Sequence, residues 1–92
     1  MIKTFANKDT EALFNGERVR RWVNIETPAR RKLEMVQAAK VLEDLRVPPG
    51  NRLEALKGDR AGQHSIRIND QYHVCFIWKD GDAYNVEICD YH

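Results

Sequence analysis

Cysteine is scarce in this chain. Cys75 and Cys89 are the only two among 92 residues, too few for a disulfide framework and without the paired spacing of a zinc site. Long apolar runs are lacking as well. The longest, Val74 to Trp78, is far short of the about 20 residues that span a bilayer. The opening MIKTFANKD has no apolar stretch of the kind a secretory signal needs. A membrane or exported protein is therefore not expected, and the reading is cytoplasmic and reduced. There is no internal repeat, low-complexity stretch or linker, and the length suits one domain over residues 1–92. No glycine-rich phosphate loop is present, and so short a chain leaves little volume for a small-molecule cleft.

What is present is an ordinary globular mix, 42% hydrophobic and 32% charged, with a net charge of +1. The charge is unevenly distributed. Residues 18–40 carry a net +5, residues 46–67 a net +3 and residues 68–92 a net −4. Two basic segments in a near-neutral protein suit a polyanion. The plainer reading is that long cationic side chains solvate a helix face.

Hydrophobic periodicity divides the chain. Ile2 to Phe5 reads as a strand. Asp9 is placed to cap a short helix that Gly16 ends. Residues 17–23 read as a turn or short helix. Thr27-Pro28 is a helix start with Thr27 as the cap, and apolar residues run from Leu33 through Val41 to Leu45 at helical period, so the helix is expected to reach about Arg46. Pro48-Pro49-Gly50 stops it, and residues 51–63 read as a loop. The last third alternates as strands. The expected fold is α+β, in the order β-α-α-β-β-β, with helices on one face of an antiparallel-rich sheet.

Register follows from keeping the apolar sets inward. A three-residue loop over Asn69–Gln71 pairs Ile66 with Val74 and Arg67 with His73. The same rule around Asp80-Gly81-Asp82 pairs Trp78 with Tyr84, Phe76 with Val86, Val74 with Ile88 and His73 with Cys89. The outer face then gathers Arg67, His73, Cys89 and the terminal Asp90-Tyr91-His92. Guanidinium and ammonium groups bind phosphate, and imidazole moves protons near neutral pH. RNA supplies its own 2′-hydroxyl nucleophile. Cleaving it needs a base, cationic stabilisation of the phosphorane and an acid, without a metal. Each residue also has a plain reading: Arg67 in a surface ion pair with Glu87 or Asp70, His73 as a strand-surface histidine, Tyr91 as edge packing, His92 as a frayed end. A zinc site from His64, His73, Cys75, Cys89 and His92 has no ligand spacing behind it.

The stretch GNRLEALKGDRAGQHSIRIN (residues 50–69), then Tyr72-His73-Val74-Cys75-Phe76 and the terminal Asp90-Tyr91-His92, resembles the HigB branch of the RelE toxin superfamily. The opening Met1-Ile2-Lys3-Thr4-Phe5 and the length fit too, so the resemblance spans essentially the whole chain. It implies a microbial-ribonuclease-like fold and a toxin that cleaves mRNA codons in the A site of the ribosome and inhibits translation. It implies a HigA-like helix-turn-helix antitoxin that represses the shared operon, with the toxin reaching operator DNA only through it. No cofactor or metal is implied. By position, Lys57, Arg67, Tyr91 and His92 fall on family active-site positions. His73 stands where relatives often have Arg, which turns a permanent phosphate clamp into a titratable one. Arg60 shares the motif, as a phosphate ligand or an anchor to Asp59. Arg18, Arg20, Arg21, Arg30 and Arg31 would face ribosomal RNA. Glu54 replaces a histidine of some relatives. The alternative is a catalytically weak toxin homologue that serves as antitoxin-binding co-repressor.

Overall fold

The computed structural model describes residues 1–90. Two helices, α1 (Lys8–Phe14) and α2 (Glu26–Ala38), cover one face of a four-stranded antiparallel sheet. Its strands lie in chain order: β1 (Glu54–Ala55), β2 (His64–Arg67), β3 (Tyr72–Lys79) and β4 (Asp82–Asp90). Short 3-10 turns fill Arg20–Ile25, Leu42–Arg46, Pro49–Asn51 and Gly58–Arg60. The core lies between the layers. Leu13 of α1 and Ala29, Leu33 and Val36 of α2 meet Ile66, Val74, Phe76, Val86 and Ile88 of the sheet. The α2 residues recur at helical spacing, so one stripe of the helix is buried.

The opening segment pairs in parallel with β4 through Ile2–Ala83 and Phe5–Val86. That pairing is broken between the two bridges. Asn85 sits at φ 52°, and its N–H donates to Thr4 Oγ1 at 2.8 Å instead of continuing a ladder. Beyond the segment, Thr10 of α1 is fully buried and its hydroxyl accepts from the Ile88 N–H at 3.2 Å. The edge of β4 is thus covered along its length, which protects it from pairing with another chain.

Several sequence expectations are corrected. The cap of α1 is Asn7, whose Oδ1 accepts from Thr10 N at 2.8 Å, not Asp9. Thr27 does not cap α2; the preceding 3-10 turn runs into the helix, and Ile25 stands at the cap without a side-chain bond. The helix also ends at Ala38 rather than near Arg46. No breaker stands there. Instead Asp44 Oδ2 accepts from Lys40 N at 2.9 Å and Val41 N at 3.2 Å. A carboxylate that bonds nearby backbone N–H groups offers the chain an alternative to the helix. The new turn tucks Leu45 into the core and leaves Val41 exposed. Within the expected loop, Glu54 and Ala55 pair with Ser65 and His64 as an edge strand.

The β2–β3 register is as expected, with Ile66 opposite Val74 and Arg67 opposite His73. Asn69 Oδ1 holds the three-residue turn by accepting from Gln71 N and Tyr72 N. The β3–β4 turn differs. Lys79 pairs with Asp82 around a two-residue turn, and Asp80 and Gly81 have φ of 52° and 83°, the left-handed pair that matches strand twist. Trp78 therefore faces Ala83, and Tyr84 sits opposite Ile77 on the outer face. The extra residue near Asn85 then restores the expected pairs Val74–Ile88 and His73–Cys89.

Candidate functional site

The outer face of the sheet brings together residues singled out in the sequence. Register sets one row across it as Glu54, Ser65, Cys75 and Glu87, and the next as Arg67, His73 and Cys89. Arg67 and His73 are half-buried neighbours on β2 and β3. The Arg67 guanidinium forms an ion pair with Asp70, one of the two partners the sequence offered. Asp90 accepts from the Gln71 side chain at 2.9 Å, tying the end of β4 to the β2–β3 turn. Asp90, the last described residue, therefore lies beside the Arg67–His73 row. Tyr91 and His92, the remaining members of the sequence-derived catalytic set, lie outside the described residues.

The centre of this face is not open to solvent. Ser65 and Cys75 are fully buried and Cys89 nearly so. Arg60 reaches across from the β1–β2 connection. Its Nη1 bonds Glu87 Oε1 at 3.2 Å on β4 and Gln63 Oε1 at 3.1 Å. Strands lie about 4.8 Å apart, so this contact bridges roughly 10 Å of sheet. The anchor of Arg60 is therefore Glu87, not Asp59. The connection itself is closed by Leu56 N to Gln63 O at 2.9 Å and turns through Gly58 at φ 64° and Gly62 at φ 93°, conformations natural to glycine. Lys57 opens the turn, exposed, and its carbonyl accepts from Arg60 N.

Burial opposes the charge on Arg60, but Cys89, Glu87 and Cys75 together hold its pKa above the ordinary guanidinium value. Beneath it, Cys75 and Cys89 lie on neighbouring strands and are not disulfide-linked, and the Cys89 thiol donates to Glu87 O at 3.8 Å. The neighbouring Cys89 lowers the Cys75 thiol against the effect of burial, while Cys75 and burial push the Cys89 thiol up. Among the described residues, no group of three His, Cys, Asp or Glu side chains is placed to hold a metal ion. Nor, among them, is any helix long and apolar enough to cross a membrane.

The remaining arginines divide by role. Arg30 is built into the scaffold. It donates to Leu13 O at 2.9 Å and Glu17 O at 2.7 Å, and pairs with Glu26 at 2.9 Å. Arg21 lies over the Trp22 ring at 4.3 Å and pairs with Asp9 at 3.2 Å. Arg18, Arg20 and Arg21 line an open cleft of about 670 Å³ against α1, together with Asp9, Ala12, Glu17 and Val19. Arg31 is exposed on α2. These cations sit on the helix layer, opposite the Arg67–His73 face. Sequence reasoning missed Glu87 and Gln63. The alternation of β4 places Glu87 outward, but nothing local shows that a loop side chain crosses two strands to meet it.

Residues 3–92 match a family model described as the RelE-like toxin of type II toxin–antitoxin system HigB. The chain is 42% identical over 87 residues to Toxin HigB-1 of Vibrio cholerae serotype O1, covering 92% of each. It is 31% identical over 102 residues to Endoribonuclease HigB of Proteus vulgaris, with all of both chains covered. In architecture it is similar to a chain of the YoeB-YefM complex from Staphylococcus aureus, at a TM-score of 0.61 over 100% of this chain and 98% of that one, with 14% identity.

Proposed function

Because the chain belongs to the HigB-like family of RelE-type toxins of type II toxin–antitoxin systems, we propose that it inhibits translation as a ribosome-dependent mRNA endonuclease. The observation that carries this reading is the clustering of Arg67, His73 and Arg60 on the outer face of the sheet. Arg67 and His73 stand side by side there near Asp90, Arg60 crosses the same face, and Lys57 begins the turn that delivers it. The name of the Proteus vulgaris relative, an endoribonuclease, supports the same activity.

The proposed chemistry is transesterification by the 2′-hydroxyl of the RNA. Arg67, Arg60 and Lys57 stabilise the charge that grows on the phosphorane, where preorganised donors act most strongly. His73 clamps the phosphate, and His92 and Tyr91 are the candidates for proton transfer. This acid–base transesterification needs no metal. On the helix layer, Arg18, Arg20, Arg21 and Arg31 would lie against ribosomal RNA, while the outer face holds the A-site codon. Backbone phosphates attract such cations whatever the sequence. The partner in the cell is an antitoxin, and we propose a HigA-like helix-turn-helix protein that brings the toxin to operator DNA.

Induction of the protein alone is expected to arrest bacterial growth, with 5′-end mapping showing cuts within codons of translated transcripts. Unimpaired growth with intact mRNA would favour the non-cleaving co-repressor reading, and growth arrest with intact mRNA would remove the nuclease activity.

A further inference from the structure

We propose that Glu87 is a positioning residue that holds Arg60 over the outer face for phosphate. The inference rests on reading that face as the mRNA site. A carboxylate there is electrostatically unfavourable for binding a polyanion, yet Glu87 lies on the same row as Cys75, in line with β2 and β3. Its Oε1 meets Arg60 Nη1 at 3.2 Å, and the two side chains are only about one-third exposed, at 30% and 35%. Gln63 Oε1 takes the same nitrogen at 3.1 Å. A guanidinium is a rigid planar fork, so fixing one nitrogen fixes the directions of its other donors. The connection from Lys57 to Gln63 turns on two glycines at positive φ and has little buried apolar side chain of its own, with Lys57, Gly58, Asp59, Ala61 and Gly62 all exposed. Without a tether on β4, Arg60 would share that loop's freedom. Glu87 therefore exchanges some attraction for RNA for a preset cation, and the cost of ordering Arg60 is met in folding rather than at the moment of reaction.

This assigns Glu87 a distinctive kinetic signature. The test is single-turnover cleavage of ribosome-bound mRNA by wild type, Glu87→Ala, Glu87→Gln, Arg60→Ala and the Arg60→Ala/Glu87→Ala double variant. Glu87→Ala is expected to lower the saturating rate about tenfold, less than the 100- to 1,000-fold typical of removing a transition-state donor outright. Its half-saturating concentration should stay the same or fall, because a negative charge has gone. Glu87→Gln keeps an oxygen acceptor and should retain most of the rate. The double variant should be no slower than Arg60→Ala. A wild-type rate in Glu87→Ala, a Glu87→Gln as slow as Glu87→Ala, or fully multiplicative losses in the double variant would each overturn the assignment. NMR of the Arg60 guanidinium separates this from the nuclease reading. Rotation and N–H exchange should be slower in wild type than in Glu87→Ala whether or not RNA is cut, and equal rates would overturn the tether. Wild-type protein that leaves ribosome-bound mRNA intact would instead remove the nuclease reading.

Discussion

Arg67 and His73 show how one register relation brings two candidate site residues together. Their side chains point outward because Ile66 and Val74 point inward, and the three-residue turn between them makes them direct neighbours. Arg67 pairs with Asp70, whose side chain is 99% exposed. An ion pair of that kind is worth about 0–1 kcal/mol, so Arg67→Ala should fold and still bind its antitoxin. Cleavage should fall about 100- to 1,000-fold, in line with loss of a charged donor to the transition state. Toxicity in cells, together with antitoxin pull-down, checks both halves. At His73, Arg supplies a permanent cation in the same place, so His73→Arg should keep or raise cleavage and His73→Ala should lose it. Loss of cleavage in a folded His73→Arg variant would mean that a neutral imidazole is needed there. The outward row was legible because period-two alternation fixes faces. The tether from Arg60 to Glu87 was not, because it depends on a loop path that alternation does not encode.

Among the elements, the end of α2 and the bulge in β4 are the instructive departures. Residues 38–42 include no Gly or Pro to break a helix, and the Asp44 carboxylate turns the chain away from it. Those two backbone bonds lower the Asp44 pKa below its usual value. A depressed carboxylate contributes stability above its unfolded pKa of about 3.9 and loses it as pH falls through the folded value. Asp44→Ala should therefore melt below wild type by a constant margin above roughly pH 5, and the margin should close as the pH falls below about 4. Thermal melts across that range read the effect, and a gap independent of pH would contradict it. In β4, Asp80-Gly81 shortens the turn by one residue and the left-handed Asn85 adds one back. The apolar pattern alone could not separate a three-residue turn from a two-residue turn plus a bulge, because both bring Val74 to Ile88. The difference shows only between them, where Ala83 rather than Tyr84 enters the core.

Over the whole molecule, the layers divide the work. Helices cover one face, with Arg31 on α2 and Arg18, Arg20 and Arg21 in the segment between α1 and α2, while Arg67 and His73 of the sheet and Arg60 of the β1–β2 connection lie on the other. The segmental charge imbalance was visible in the sequence; its two-sided arrangement required the fold. The fold also separates Arg30 from its neighbours, since that guanidinium binds the end of α1. In the proposed function the two sets of cations would lie between mRNA and ribosomal RNA, and cleavage is then expected to need the ribosome. The most direct measurement is cleavage of one mRNA by purified protein, with and without ribosomes stalled at a defined codon. Cuts within the A-site codon on ribosomes, with little cleavage of free mRNA and none by Arg67→Ala, are the predicted result. Cleavage of the free mRNA at the same sites and rate, or unchanged cutting by Arg67→Ala, would contradict it.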